Sequence, residues 1–371
     1  MMTFFSKTPW GKPKWDPLEE KTTFDVTKAE HLIEEDIKAG ATTLSDIDKE
    51  LSPHVTDVFR ALGNYDVRFD FDPFSIDDCR CNILSCREVS VLCSLKHVPL
   101  HALVIEEGDL PGGVMLKLKD DFVQRFDEVS WDDFFDTKSD DRYVDPTKVY
   151  EYFTRAICCA VNDVRAEMVN VSVEVLHSTT MISLRFQLSK DSFYKVNFFP
   201  SIRVNSLCKN FRNLVNRFSN LRQPLLDECH FKMGVHVVAR PNKPSEDGNE
   251  LWSITFNDIE KRVVLSESFE CAKDCLIYID EKLELLYKEK SLSSYQIRAV
   301  ILREIFENSK PKAWKRNCLH KRLHEVQESL NADLQMGRCV NVFTGVNLFS
   351  GTSQDTLDEI AKYVYNNLHG L

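Results

Sequence analysis

Towards its C-terminal end the sequence reads Ser294-Tyr295-Gln296-Ile297-Arg298, then Trp314, Asn317-Cys318-Leu319 and Arg322-Leu323, then Asn347-Leu348-Phe349. These stretches lie in and between segments whose apolar residues recur every three or four positions: 271–287, 293–308, 316–334 and 356–368. That spacing gives each segment one apolar stripe, so helix follows helix from residue 267 onward. Upstream the period changes to two. Val171, Val173 and Val175, then Ile182, Leu184, Phe186 and Leu188, alternate with other residues, as strands with one buried face do. The chain is therefore α+β, mixed sheet and helix first and all-helical last.

Its 371 residues are enough for two domains. A hydrophobic share of 43% rules out global disorder. With 47 Lys+Arg against 58 Asp+Glu the net charge is −11. That argues against a protein that coats nucleic acid indiscriminately and leaves room for a local basic groove. No run approaches ~18 uncharged apolar residues, and residues 1–15 lack the apolar stretch of a secretory signal. The expectation is a chain without a membrane span, in the cytoplasm and/or nucleus, whose 12 cysteines stay mostly free.

Residues 1–26 carry Pro9, Pro13 and Pro17 and read as a mobile leader. Helical spacing runs from 27 to 62, with Gly40 and Pro53 expected to interrupt it. Strands are expected over 89–95 and 114–118, the second after the turn Leu110-Pro111-Gly112-Gly113. Residues 119–145 are acidic and read as a solvated insertion anchored by Phe126, Trp131, Phe134 and Phe135, with a metal- or partner-binding loop as the other reading. A helix over 146–164 and strands over 169–176, 181–188 and 193–202 complete a core spanning 27–265, and 266–371 form the helical domain. Cys271 and Cys275 share a helix face at i,i+4. They read as buried small side chains rather than metal ligands, because no paired C-x2-C pattern supports a zinc site.

No dinucleotide fingerprint, Walker loop, HExxH or GxSxG occurs in the chain. The ordered C-terminal stretches, together with Leu110-Pro111-Gly112, Leu116-Lys117-Leu118 and Cys271-Cys275-Leu276, resemble the Mab-21-like family, relatives of cyclic GMP-AMP synthase. The resemblance covers residues 55–368. It implies a bilobal nucleotidyltransferase fold, a small mixed sheet with helices backed by a helical lobe, with a nucleotide cleft between the lobes. In active members, paired acids on one strand and a third on a neighbour hold two Mg²⁺ ions, which bridge the triphosphate and activate the attacking hydroxyl. A Gly-Ser turn upstream grips phosphate.

On these positions the chain departs from the pattern. Glu88 keeps one acid, whereas Ser90 and Asn197 stand where the other two belong. Ser75 marks the phosphate turn, without its glycine. Neutral side chains are poor Mg²⁺ ligands, so metal binding at Glu88 is expected to be weak and two-metal transfer lost. Mg²⁺ is expected only if the chain is active. Asp77 and Asp78 are the alternative acids. The His and three Cys of a zinc thumb are not seen, Cys229 and His230 standing alone, so DNA sensing of that kind is not supported.

Two basic stretches bear on partners. Arg203, Lys209, Arg212, Arg217 and Arg222, interleaved with Phe211 and Phe218, suit single-stranded RNA or a triphosphate, and equally an amphipathic helix with a solvated face. Lys310, Lys312, Lys315, Arg316, Lys321 and Arg322 surround Trp314 and read rather as a charged face over core positions. Lys261 and Arg262 are candidate phosphate contacts from the helical side. The resulting expectation is a degenerate nucleotidyltransferase-fold factor that binds a nucleoside triphosphate, RNA or a protein partner. Its rival is an active receptor that makes a cyclic dinucleotide on sensing double-stranded RNA.

Overall fold

A computed structural model describes residues 48–74, 81–85, 88–110, 112–119, 129–136, 142–168, 170–177, 181–188, 193–204, 235–239, 251–284 and 292–368. The expected leader, Ser75, Asp77, Asp78, Pro111, Phe126, Lys209, Arg212, Arg217, Arg222, Cys229 and His230 lie outside them.

Among the described residues, nine strands form one mixed sheet: β1 (Cys81–Ser85), β2 (Glu88–Ser94), β3 (Leu103–Glu107), β4 (Gly113–Leu118), β5 (Ser172–His177), β6 (Ile182–Gln187), β7 (Phe193–Val204), β8 (Val235–Val238) and β9 (Trp252–Thr255). The main order is β1-β2-β7-β8-β9-β4-β3, and β5 joins through β6. The 12-residue β7 organises the sheet. Parallel β2 lies along one edge, and antiparallel β6 and then β8 along the other.

One face of the sheet is apolar. Val89, Val91, Val196, Phe198, Ile202, Leu184, Phe186, Val237, Trp252 and Leu116 are all buried on it. It packs under α1 (residues 48–65) and α2 (Pro146–Arg165), where Phe59 meets Phe198 edge-on with ring centroids 6.0 Å apart. Asp145 caps α2, its side chain accepting from the N–H groups of Thr147 and Lys148, and Pro146 fills the first helical position. Pro53 does not interrupt α1, contrary to the sequence expectation. Proline removes a single N–H from the ladder, and the fully buried Leu51 and Val55 on either side hold the helix against the core.

Trp131, Phe134 and Phe135 are buried anchors of the described part of the acidic insertion. Trp131 Nε1 donates to the His97 carbonyl at 2.8 Å, and the Arg68 guanidinium lies over the Phe134 ring at 4.5 Å.

α3 (Asn257–Val264) follows the sheet, and the helical domain then comprises α4 (Glu270–Glu284), α5 (Ser294–Glu307), α6 (Leu319–Met336) and α7 (Gln354–Leu368). The stretches quoted at the outset join these elements. Ser293 and Gln296 form a capping box at the start of α5, and Gln296 Nε2 also donates to the Leu348 carbonyl at 3.0 Å. Trp314 is fully buried, with Nε1 donating to the Asn308 carbonyl and the Arg322 guanidinium 5.5 Å from its ring. It is therefore a core residue and offers no ring for base stacking. Asn347 accepts from the Cys339 and Phe349 N–H groups and donates to the Gly337 carbonyl. Cys271 and Cys275 are both fully buried in α4, and burial pushes the Cys275 thiol well up. No described helix is long and apolar enough to cross a membrane.

Candidate functional site

The second face of the sheet is polar, and strand parity creates it. Side chains two apart share a face, so packing Val89, Val196 and Leu184 into the core turns Ser90, Asn197 and Ser183 the other way. Ladder register then sets these three side by side, with Ser90 opposite Asn197 and Asn197 opposite Ser183. Ser183 Oγ donates to Asn197 Oδ1 at 2.6 Å, and Asn197 Nδ2 lies 3.5 Å from Ser90 Oγ. Asn197 is 0% exposed, Ser183 2% and Ser90 7%. Ser90 and Asn197, expected from the resemblance to stand at acid positions, thus converge, and with Ser183 they form a buried neutral hydrogen-bonded row.

These residues do not fit a pair of divalent ions. The amide oxygen is already taken by a hydroxyl, the amide nitrogen is a donor, and neither group carries charge. Glu88 begins β2, its backbone opposite Lys195 in the ladder.

Farther down the face lies a second polar cluster. His236 Nδ1 sits 3.2 Å from Ser94 Oγ and 3.3 Å from Ser201 Oγ, and its Nε2 sits 3.2 Å from Asp258 Oδ2. Ser201 is 0% and His236 2% exposed, and Ser94 is half-buried. The cluster ties α3 to the sheet. Ser94 is four residues beyond Ser90, roughly 13 Å along an extended strand, so α3 docks at the far end of the polar face. Lys261 is half-buried and Arg262 exposed in the last turn of α3.

The other side of α3 reaches the helical domain. Arg298 Nη2 donates to Asn257 Oδ1 at 2.6 Å and lies 3.3 Å from Glu260 Oε2. Asn341 Nδ2 donates to Glu260 Oε1 at 2.7 Å and to the Tyr295 hydroxyl at 2.9 Å. Burial pushes the Glu260 carboxyl up, while Arg298 and Asn341 pull it down. Arg298, Glu260 and Asn341 are all buried, so this network holds the two domains together at α3.

A model of the Mab-21 protein nucleotidyltransferase domain matches residues 81–265. A second, of the Mab-21 protein HhH/H2TH-like domain, matches residues 271–366. The chain belongs to the Mab-21 family. The Mab-21 nucleotidyltransferase-domain match contains β1 to β9 and α3, and the C-terminal match contains α5, α6 and the start of α7.

Of the site residues expected from this Mab-21 sequence, the fold brings Ser90 and Asn197 into contact and places Glu88 two residues before Ser90 on β2. Lys261 and Arg262 it places on α3. Ser183, Arg185, Lys195, His236, Asp258, Glu260 and Asn341 escaped the sequence reading. Alternation over 182–188 was the available signal for two of them: Ser183 and Arg185 are the off-parity residues of a strand whose other side is core.

Proposed function

We propose that this Mab-21 protein is a catalytically degenerate nucleotidyltransferase-fold factor that binds a nucleotide without transferring it. One observation carries the reading: Ser183, Asn197 and Ser90 form a buried neutral row where two-metal chemistry needs carboxylates. Without charged ligands on both strands, a divalent ion there has no counter-charge, and the attacking hydroxyl has no Lewis acid to lower its pKa. Glu88 remains as a single acid of the pattern. Lys261 and Arg262 on α3, and Ser75 in the upstream turn, are further nucleotide contacts in this reading. Lys209, Arg212 and Arg217 are the candidates for RNA. Work in developmental regulation or signalling, through RNA or a protein partner in the cytoplasm and/or nucleus, follows from the family association.

The test is product formation from labelled ATP, GTP, CTP and UTP with Mg²⁺ or Mn²⁺, with and without double-stranded RNA. The expected outcome is no product from folded protein. A new phosphodiester that vanishes in Glu88→Ala overturns the reading and establishes its rival, a cyclic dinucleotide synthase with an unconventional metal site.

A further inference from the structure

A pair of thiols lies at the start of α4 in the helical domain. Cys271 and Cys275 are both 0% exposed and stand one turn apart on one side of the helix. Helix geometry sets their Cα atoms about 6 Å apart, within the span a disulfide can bridge. Arg322 of α6 is 3% exposed, its guanidinium carbon 5.5 Å from the Trp314 ring centroid and its Nη2 2.5 Å from Glu325 Oε2. Its Nε and Nη1 are shielded from solvent and have no hydrogen-bond partner among the described residues. The guanidinium charge favours the thiolate at both sulfurs, and Asp274 of α4 opposes it. The two sulfurs are nevertheless unlike. A hydrogen bond from Cys275 pulls the Cys271 thiol down against burial, while burial pushes Cys275 well up. A pair divided in this way holds one nucleophile and one partner that keeps its proton.

We propose that Cys271 and Cys275 are a peroxide-sensitive dithiol, Cys271 attacking and Cys275 closing the disulfide. The Cys271 thiolate attacks one oxygen of hydrogen peroxide. The S–O bond forms, the O–O bond breaks and hydroxide leaves, giving a sulfenic acid. The Cys275 sulfur then attacks that sulfur, forming S–S and breaking S–O, and its proton leaves with the oxygen as water. Two electrons pass from the sulfur pair to peroxide, and a dithiol reductant returns them. Peroxide enters when the first turn of α4 opens. Glu267, Glu270 and Lys273 around that turn are exposed, and local opening costs less than global unfolding. Closing the bridge reshapes the turn. Cβ atoms at i,i+4 stand about 5–6 Å apart in a helix, whereas a disulfide needs about 3.5–4.5 Å. Glu270 moves with the turn, and it holds Lys315 Nζ and the Arg316 N–H; Asp274 pairs with Arg316 at 3.3 Å. Oxidation thus loosens the seam between α4 and residues 311–318, and the strained bridge is readily reduced.

The experiment treats the folded full chain with hydrogen peroxide, alkylates the remaining thiols and maps each cysteine by mass spectrometry. The expected result is a Cys271–Cys275 disulfide that dithiothreitol reverses. Amide exchange should rise across residues 267–275 and 311–318 in the oxidised form. Cys275→Ser should stop at a sulfenic acid on Cys271, trapped by dimedone, and Cys271→Ser should leave Cys275 reduced. Arg322→Gln should slow the reaction about tenfold, the thiolate fraction lost with one favourable neighbouring charge. Arg322→Lys, which keeps the charge, should slow it less. The parent chain alone can refute the inference: a pair that stays reduced while the exposed Cys159 is oxidised overturns it. So does oxidation that needs denaturant, a disulfide from either residue to Cys318, or a sulfenic acid on Cys275 in Cys271→Ser.

Discussion

Replacing Asn197 by aspartate tests whether the polar row is sealed. The side chain is fully buried, accepts from Ser183 and faces Ser90. Asn197→Asp keeps the shape and the acceptor while adding a charge that no cation in that row matches. Burial without a counter-charge raises a carboxyl by about 2–3 pKa units, and each unit is worth about 1.4 kcal/mol. The expected loss of stability at pH 7.5 is therefore about 3–4 kcal/mol. The sign follows from linkage. The folded pKa lies above the unfolded value, so the native state holds the proton longer. The deficit is small below about pH 4, grows as pH rises towards the folded pKa, and is constant above it. Urea unfolding of parent and variant at pH 4 and pH 7.5, followed by circular dichroism, reads both the size and the slope. A deficit under about 1 kcal/mol at pH 7.5, the level of a surface substitution, would mean that water or a metal reaches position 197. The cleft would then be open, and the argument against divalent ions would fail.

Other outcomes follow from the same structure. Arg298→Met should cost about 3–5 kcal/mol by stranding the buried Glu260 carboxylate, and adding Glu260→Gln should recover part of it; a double-mutant cycle by chemical denaturation checks the coupling. The raised Glu260 carboxyl contributes stability at low pH that is lost as pH rises past its ordinary range, so Glu260→Gln should flatten the stability–pH curve above about pH 4.5, the ordinary glutamate range. Asp66 has the opposite sign. Burial works to raise it, but the Arg68 hydrogen bonds and charge hold it below the ordinary value. Its contribution is present at neutral pH and lost on acidification, and Arg68→Met should reduce the melting-temperature drop between neutral pH and about pH 3, below the ordinary aspartate pKa. Gly337→Ala should destabilise by about 1–2 kcal/mol in thermal unfolding, because Gly337 closes α6 at φ 63° and a Cβ there would meet Gln354 Oε1 at 2.6 Å.

The sequence by itself determined the α+β division, the helical end and the core parity of β5 and β6. Those signals are local, since an apolar period of two or 3.6 is readable within one segment. It also determined the family, because Ser294-Tyr295, Arg298, Trp314 and Asn347-Leu348-Phe349 stand in order within that helical end. It missed β1, β3, β8, β9 and α3, which are all short, at four to eight residues. Only the tertiary structure decided the site. Ser90 lies 107 residues from Asn197 and Ser183 lies 14 from it, and a parallel and an antiparallel ladder set the three side by side. Register is a property of strand pairs, and shifting it by one residue would turn every one of these side chains to the other face. The ties of Asp258 to His236 and of Glu260 to Arg298 are tertiary too, because they form only when α3 docks between the sheet and the helical domain.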